Sequence, residues 1–317
     1  MKKLYFIFTV LVIVSMFMGR MWFSPFSSVE ELNKTILLEV RTPRIMAVLL
    51  GGAALGLSGL AFQNLFKNYL AGPDILGVTS GSAFGAVLAI LFLPFNSYLI
   101  QFSSFLFGIV AVALVYRFAQ VINSSTVGLV LTGIVISAVF SGAIGLFKYL
   151  ADPYNKLPTI VFWLLGSFSG VSWKDLSISM LPMSLGIIGL LTMGWIFNIL
   201  SLGDDEAKAL GVDTKKWRKI IIIFATLSSS SITALAGMIG WIGLVSPHIA
   251  RLIVGFENRK LVPATALIGA TLLLVCDDFA RTLGPAEIPL SILTNFIGAP
   301  ILFFILFKRG KMYYARS

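Results

Sequence analysis

The chain has 317 residues, 57% of them hydrophobic and only 12% charged, with mean hydropathy +0.94. A soluble domain is nearer half apolar and a quarter charged, so an ordinary soluble fold is excluded and an integral membrane protein is indicated. Lys plus Arg (24) exceeds Asp plus Glu (14), a net charge of +10, which basic residues gathered in cytoplasmic loops explain without a nucleic-acid partner.

A membrane core of about 30 Å takes about 20 helical residues. Ten helical segments are predicted, at 4–23, 44–65, 75–94, 97–117, 126–149, 177–200, 218–237, a short piece at 244–255, 262–281 and 289–307. Runs such as LYFIFTVLVIVSMFM are apolar all round, whereas strands of a β-barrel alternate. The fold class is therefore an all-α membrane bundle in a single domain, 1–317, with membrane lipid as its solvent. Lys2 and Lys3 before an apolar run have the outline of a secretory signal, but MFMGRMW offers no small-x-small cleavage pattern, so a retained first helix is expected.

The second segment carries GGAALGLSG, where Gly52 and Gly56 suit close packing of two helices. Arg41 and Arg44 lie at its outer end, level with Arg281 at the outer end of the ninth. Two readings stand: the arginines snorkel to the interface, or they receive carboxylates from an outside protein. Residues 203–219, GDDEAKALGVDTKKWRK, form the longest charged stretch. Asp204, Asp205 and Glu206 favour a helix start, Gly211 fits just past its end, and Ala207, Ala209 and Leu210 are expected on an exposed docking surface.

Ser228 to Ser231 and Thr233 are expected to bond back to carbonyls one turn earlier, which lets them be buried without lining a pore. Segment 245–255 reaches only about 16 Å. Ser246 reads as its N-cap and Pro247 as its first residue, after the flexible GMIGWIG. A broken helix survives in a bilayer where its ends are buried or face water, which points to transport.

Enzyme signatures are scarce. Gly310-Lys311 has no P-loop glycine before it, so ATP has no Walker A site here. With a single Cys, Cys276, and a single His, His248, there is no internal disulfide and no basis for a metal site of Cys and His. His248 is read as a packing residue. Asp277 and Asp278 point about 100° apart on one helix, and Asp277 stands one turn before Arg281, which favours an ion pair over an acid–base dyad. They are also the carboxylates on which an ion-coupled secondary transporter would depend.

With the amino terminus placed inside, about two thirds of the Lys and Arg residues fall on the inner side, which predicts both termini in the cytoplasm of a cell inner or plasma membrane.

Five blocks then carry a resemblance over almost the whole chain: RTPRIMAVLLGGAALGLSGLAFQNLFKNYLAGPDILGVTSG (41–81), FWLLGSFSGVSW (162–173), LGDDEAKALGV (202–212), GMIGWIGLVSPHIARLIVG (237–255) and EIPLSILTNFIGAPILFFIL (287–306). The chain resembles FecCD-type permease subunits of ABC importers for ferric siderophores, haem, cobalamin and molybdate or tungstate. The resemblance implies a ten-helix type II importer subunit working as a homodimer. It also implies two cytoplasmic ATPase subunits that bind the ATP and Mg, and an external substrate-binding protein. It makes 203–212 the coupling helix, with Asp204, Asp205, Glu206, Ala207, Leu210, Gly211 and Val212. Arg41, Arg44 and Arg281 become the docking arginines, and Ser125 and Thr126 a cytoplasmic gate, where an N-cap role also fits NSST.

Overall fold

The structure, a computed structural model, describes residues 2–19, 34–122 and 126–314. Among them are thirteen α-helices and no strand. They are α1 (Lys2–Phe17), α2 (Thr42–Phe66), α3 (Val78–Phe92), α4 (Ser97–Ile122), α5 (Thr126–Leu150), α6 (Lys156–Leu165), α7 (Trp173–Leu191), α8 (Gly194–Leu202), α9 (Asp204–Ala209), α10 (Thr214–Ala236), α11 (Ile242–Val254), α12 (Asn258–Thr282) and α13 (Leu290–Tyr314). A π-helical turn, Ile36–Arg41, runs directly into α2, and a 3₁₀ turn, Pro73–Leu76, precedes α3.

Six described helical stretches are long and apolar enough to cross a membrane, among them Ile36–Phe66, Thr214–Ala236 and Asn258–Thr282. Their apolar windows are 78%, 72% and 67% buried, whereas that of α5 is 17% buried. Hence α2, α10 and α12 form the centre of the bundle, and α5 turns its apolar face outward. Expected ends 20–23 of the first helix lie outside the described residues.

Two predicted elements differ. The segment at 177–200 is two helices, α7 and α8, which part at Thr192 and Met193. An additional short helix, α6, occupies Lys156–Leu165. Its ten residues are too few to span a membrane, so a search for spanning stretches passes over them.

The centre is held by glycines. A β-carbon on Gly52 would stand 2.3 Å from the carbonyl oxygen of Gly269, so α2 and α12 cross backbone to backbone, as the small residues of GGAALGLSG predict. Two turns further on, a β-carbon on Gly59 would stand 1.8 Å from the carbonyl oxygen of Gly243 in α11. Most of the serine run behaves as expected: Ser229, Ser230, Ser231 and Thr233 each donate to the carbonyl four residues back, whereas Ser228 Oγ is buried without a hydrogen bond.

The short helix α11 begins earlier than predicted. Trp241 is its N-cap, at φ 66°, Pro247 lies inside the helix, and Ser246 Oγ donates to Ile242 O. Proline brings no N–H to the Gly243 carbonyl, and that carbonyl is the group packed against Gly59. The interior proline is thus tolerated at a point where a neighbouring backbone already fills the gap. His248 is a packing residue as read: its Nε2 lies 2.9 Å from Tyr69 O, and Arg251 lies over the Tyr69 ring, 4.4 Å from its centroid.

Candidate functional site

The charged residues singled out above gather at the two ends of the bundle. The last turns of α12 meet the start of α2 and the end of α1 at the outer end, on the orientation predicted by the basic residues. Arg44 donates from Nη2 to Asp277 Oδ1 at 2.9 Å and from Nε to both Asp277 oxygens. Its Nη1 and Nη2 also bind Glu287 Oε1 and Oε2, at 2.8 and 2.9 Å. The side chain of Asp277 is 0% exposed, that of Arg44 11% and that of Glu287 23%.

Arg281 binds Asp278 and donates to Ser15 O and Ser15 Oγ, at 2.8 and 2.6 Å, while Ser15 Oγ donates to Asp278 Oδ1 at 2.7 Å. Arg41 donates to Met16 O at 2.7 Å. Three guanidinium groups therefore stand against three carboxylates, Asp277, Asp278 and Glu287, so the cluster is neutral as a whole. It ties α1, α2, α12 and the loop after α12 together.

The snorkelling and docking readings gave Arg41 and Arg44 no partner inside the chain, and the structure supplies one for each. Arg41, Arg44 and Arg281 are buried, and each donates at least one hydrogen bond within the chain, while Arg281 Nε makes none. The helical pairing differs as well. The i,i+4 contact, Arg281 Nε to Asp277 Oδ2, is the loose one at 3.7 Å, and Arg281 takes Asp278 at i,i+3 instead. Arg44 accounts for the difference, since it reaches across from α2 and draws Asp277 to itself. Glu287 and Ser15 were missed by sequence reasoning, and no local spacing signals them.

At the opposite end, α9 is a six-residue helix with Asp204, Asp205 and Glu206 in its first turn, as expected. It closes with Gly211 at φ 78°, Gly211 N–H bonded to Lys208 O and Val212 N–H to Ala207 O. That double bond pattern is a Schellman stop, completed by apolar contact of Val212 with Ala207. The expected exposure of Ala207 is corrected. It is fully buried with Val212 against Ile199, and Trp217 packs beside them. Asp204 is held by Arg218 at 2.6 Å. The surface of α9 and its end is thus left to Asp205, Glu206, Lys208, Ala209, Leu210 and Gly211, with Leu210 59% exposed. Of the gate residues, Ser125 lies outside the described residues and Thr126 is the first residue of α5.

Comparison with known proteins agrees along most of the chain. The family model described as the FecCD transport family matches residues 7–308. The molybdate import system permease protein MolB of Haemophilus influenzae is 43% identical over 287 residues, covering 90% of this chain and 85% of that protein. A probable iron chelatin transport system permease protein of Helicobacter pylori is 38% identical over 282 residues, covering 88% and 85%. Among solved structures, a transporter described as metal-chelate type, in an inward-facing conformation, superposes with a TM-score of 0.91 at 40% identity over 96% of this chain and 98% of its own. The chain is a membrane permease and belongs to the FecCD transport family.

Proposed function

We propose that the chain is the permease of a binding-protein-dependent ABC importer that carries a metal chelate or molybdate-like cargo into the cytoplasm. It works as a homodimer, with two separate ATPase subunits on its inner face that supply the ATP and Mg chemistry. The observation that carries this reading is α9. Its acidic first turn, its Schellman stop and its buried Ala207 and Val212 make a rigid knob, and the knob presents Leu210 outward. A solvated connector needs none of that order, whereas a helix pressed into a partner's groove does.

Rocking of the bundle between outward-open and inward-open states then follows from differential binding of ATP by the partner subunits in the two states. An external binding protein meets the arginine end. There Glu287 is the outermost carboxylate on Arg44, so an incoming carboxylate exchanges with Glu287 first. The rival reading, ion-coupled transport on Asp277 and Asp278, has less to stand on, because both carboxylates are committed to arginines.

The test is reconstitution of the permease with its ATPase and binding protein in vesicles. Leu210→Asp is expected to abolish uptake and the stimulation of ATP hydrolysis by the loaded binding protein. It leaves the buried side of α9 untouched, so unchanged coupling in this variant rejects the reading.

A further inference from the structure

A carboxylate that the sequence reading placed outside the spanning segments stands deep in the bundle. Asp74 lies in the 3₁₀ turn before α3. A β-carbon on Gly133, in α5, would stand 2.0 Å from the carbonyl oxygen of Ile75. Gly133 is two turns along α5 from Thr126, so this turn sits about 10 Å above the inner end of that helix. With 15 residues, α3 is too short to span and starts inside the membrane.

Asp74 is exposed at this depth because it lines two cavities, of about 500 and 280 Å³. The larger is walled by Thr79, Ser80, Ser137, Ser141, Ser291 and Asn295. The smaller runs past Gly240, Trp241 and Gly243 at the start of α11. Among the described residues lining either cavity, Asp74 is the one that carries a charge. Thr79 is its hydrogen-bond partner, and it is in no salt bridge among the described residues, unlike Asp277 and Asp278.

A carboxylate and a row of hydroxyls at this depth are expensive against lipid, so the face on which they open belongs to a water-filled passage. Two helix N-termini, of α3 and α11, also open on these cavities. Each contributes about half a positive charge from its unpaired N–H groups, so the cavity without Asp74 would attract anions. In its ionised form Asp74 carries the opposite charge and cancels that attraction.

Resting on the proposed permease function, we infer that Asp74 sets the charge selectivity of the passage, so that a neutral or cationic metal chelate passes and an oxyanion such as molybdate is refused. The test uses the assembled permease and ATPase in vesicles, with Ser80→Cys introduced in a Cys276→Ala background. Thiol modification is followed by mass on this chain, with methanethiosulfonates bearing trimethylammonium or sulfonate. After correction for their rates with a free thiol, the cationic reagent is expected to react at least about tenfold faster, because the carboxylate attracts one reagent and repels the other. Asp74→Asn is expected to collapse or invert that ratio, and Asp74→Glu to keep it.

A ratio near one with Asp74 present overturns the inference even if Asp74→Asn fails to assemble, and so does a position that neither reagent reaches. Uptake arms separate this failure from that of the function. ATP-dependent import of radiolabelled molybdate by the wild-type assembly overturns the charge assignment and leaves the importer standing. Import of neither molybdate, cobalamin nor a ferric hydroxamate under ATP removes the importer reading itself.

Discussion

Replacing Arg44 by Leu separates a structural arginine from one held ready for an outside partner. The substitution leaves Asp277, whose side chain is 0% exposed, with only Arg281 at 3.7 Å and no hydrogen bond from it. Stripping one member from a buried pair costs about 3–5 kcal/mol, because the survivor keeps its desolvation penalty. At about 2 °C per kcal/mol for a chain of this size, the midpoint of thermal unfolding is expected to fall by about 6–10 °C. Removing both members, Arg44→Leu with Asp277→Leu, takes the stranded charge away. Glu287 then hydrates at its 23% exposed position, and most of the loss should be recovered. Cys276 supplies the assay, since it is the only cysteine, lies beside Asp277 and is 1% exposed. A maleimide that fluoresces on reaction reports unfolding of the purified permease in detergent without any added label. A single variant that melts within about 2 °C of wild type, or a double variant no better than the single, refutes the buried-pair reasoning and returns Arg44 to a docking role alone.

Two other substitutions test the packing and the helix ends. Gly59→Ala drives a β-carbon to 1.8 Å from Gly243 O, backbone against backbone, and should cost about 3 kcal/mol or more, read as a lower melting point in the same thiol assay. Gly145→Ala, where nothing lies within 4 Å, should cost nothing; equal losses would show that the close approach is not what matters. Ser172→Ala breaks the capping box in which Ser172 accepts from Asp175 N–H and Asp175 accepts from Ser172 N–H. A loss of about 1 kcal/mol is expected, with faster hydrogen exchange confined to the first turn of α7; unchanged exchange there would contradict the cap.

Composition and hydropathy were enough for the fold class, because lipid imposes one rule on every span and the rule is visible in any run of twenty residues. Local pairings were legible for the same reason: the serine run, the acidic start of α9 and the glycine at its end all act within one or two turns. The rules failed where a helix was shorter than the rule assumes. The ten residues of α6 are too few for a spanning rule, and the break between α7 and α8 falls in an apolar stretch whose composition does not change, so only its neighbours decide where the helix stops. Pro247 misled in a similar way, since proline marks a helix start in isolation, yet here Gly59 accommodates it in the interior.

The arginine cluster shows why the rest was out of reach. Arg44 and Asp277 are 233 residues apart, and Arg281 and Ser15 266; spacing along one helix predicts only Asp277 with Arg281, the weakest contact of the set. An arginine at a helix end reads the same whether its carboxylate belongs to another element of the chain or to another protein. Asp74 is the opposite case, because its signal was present in the sequence. A charged residue enclosed by Gly72, Pro73 and Gly77 between two apolar helices marks backbone that is not helical, and non-helical backbone at membrane depth requires water or protein around it. What hid it was the assumption that the third helix began at residue 75, which placed the aspartate in an aqueous loop. With α3 starting at Val78, the same carboxylate stands on a cavity wall. A three-residue shift in one boundary therefore changes the charge that a passing cargo meets, which is why cargo class has to be argued from the cavity wall and not from composition.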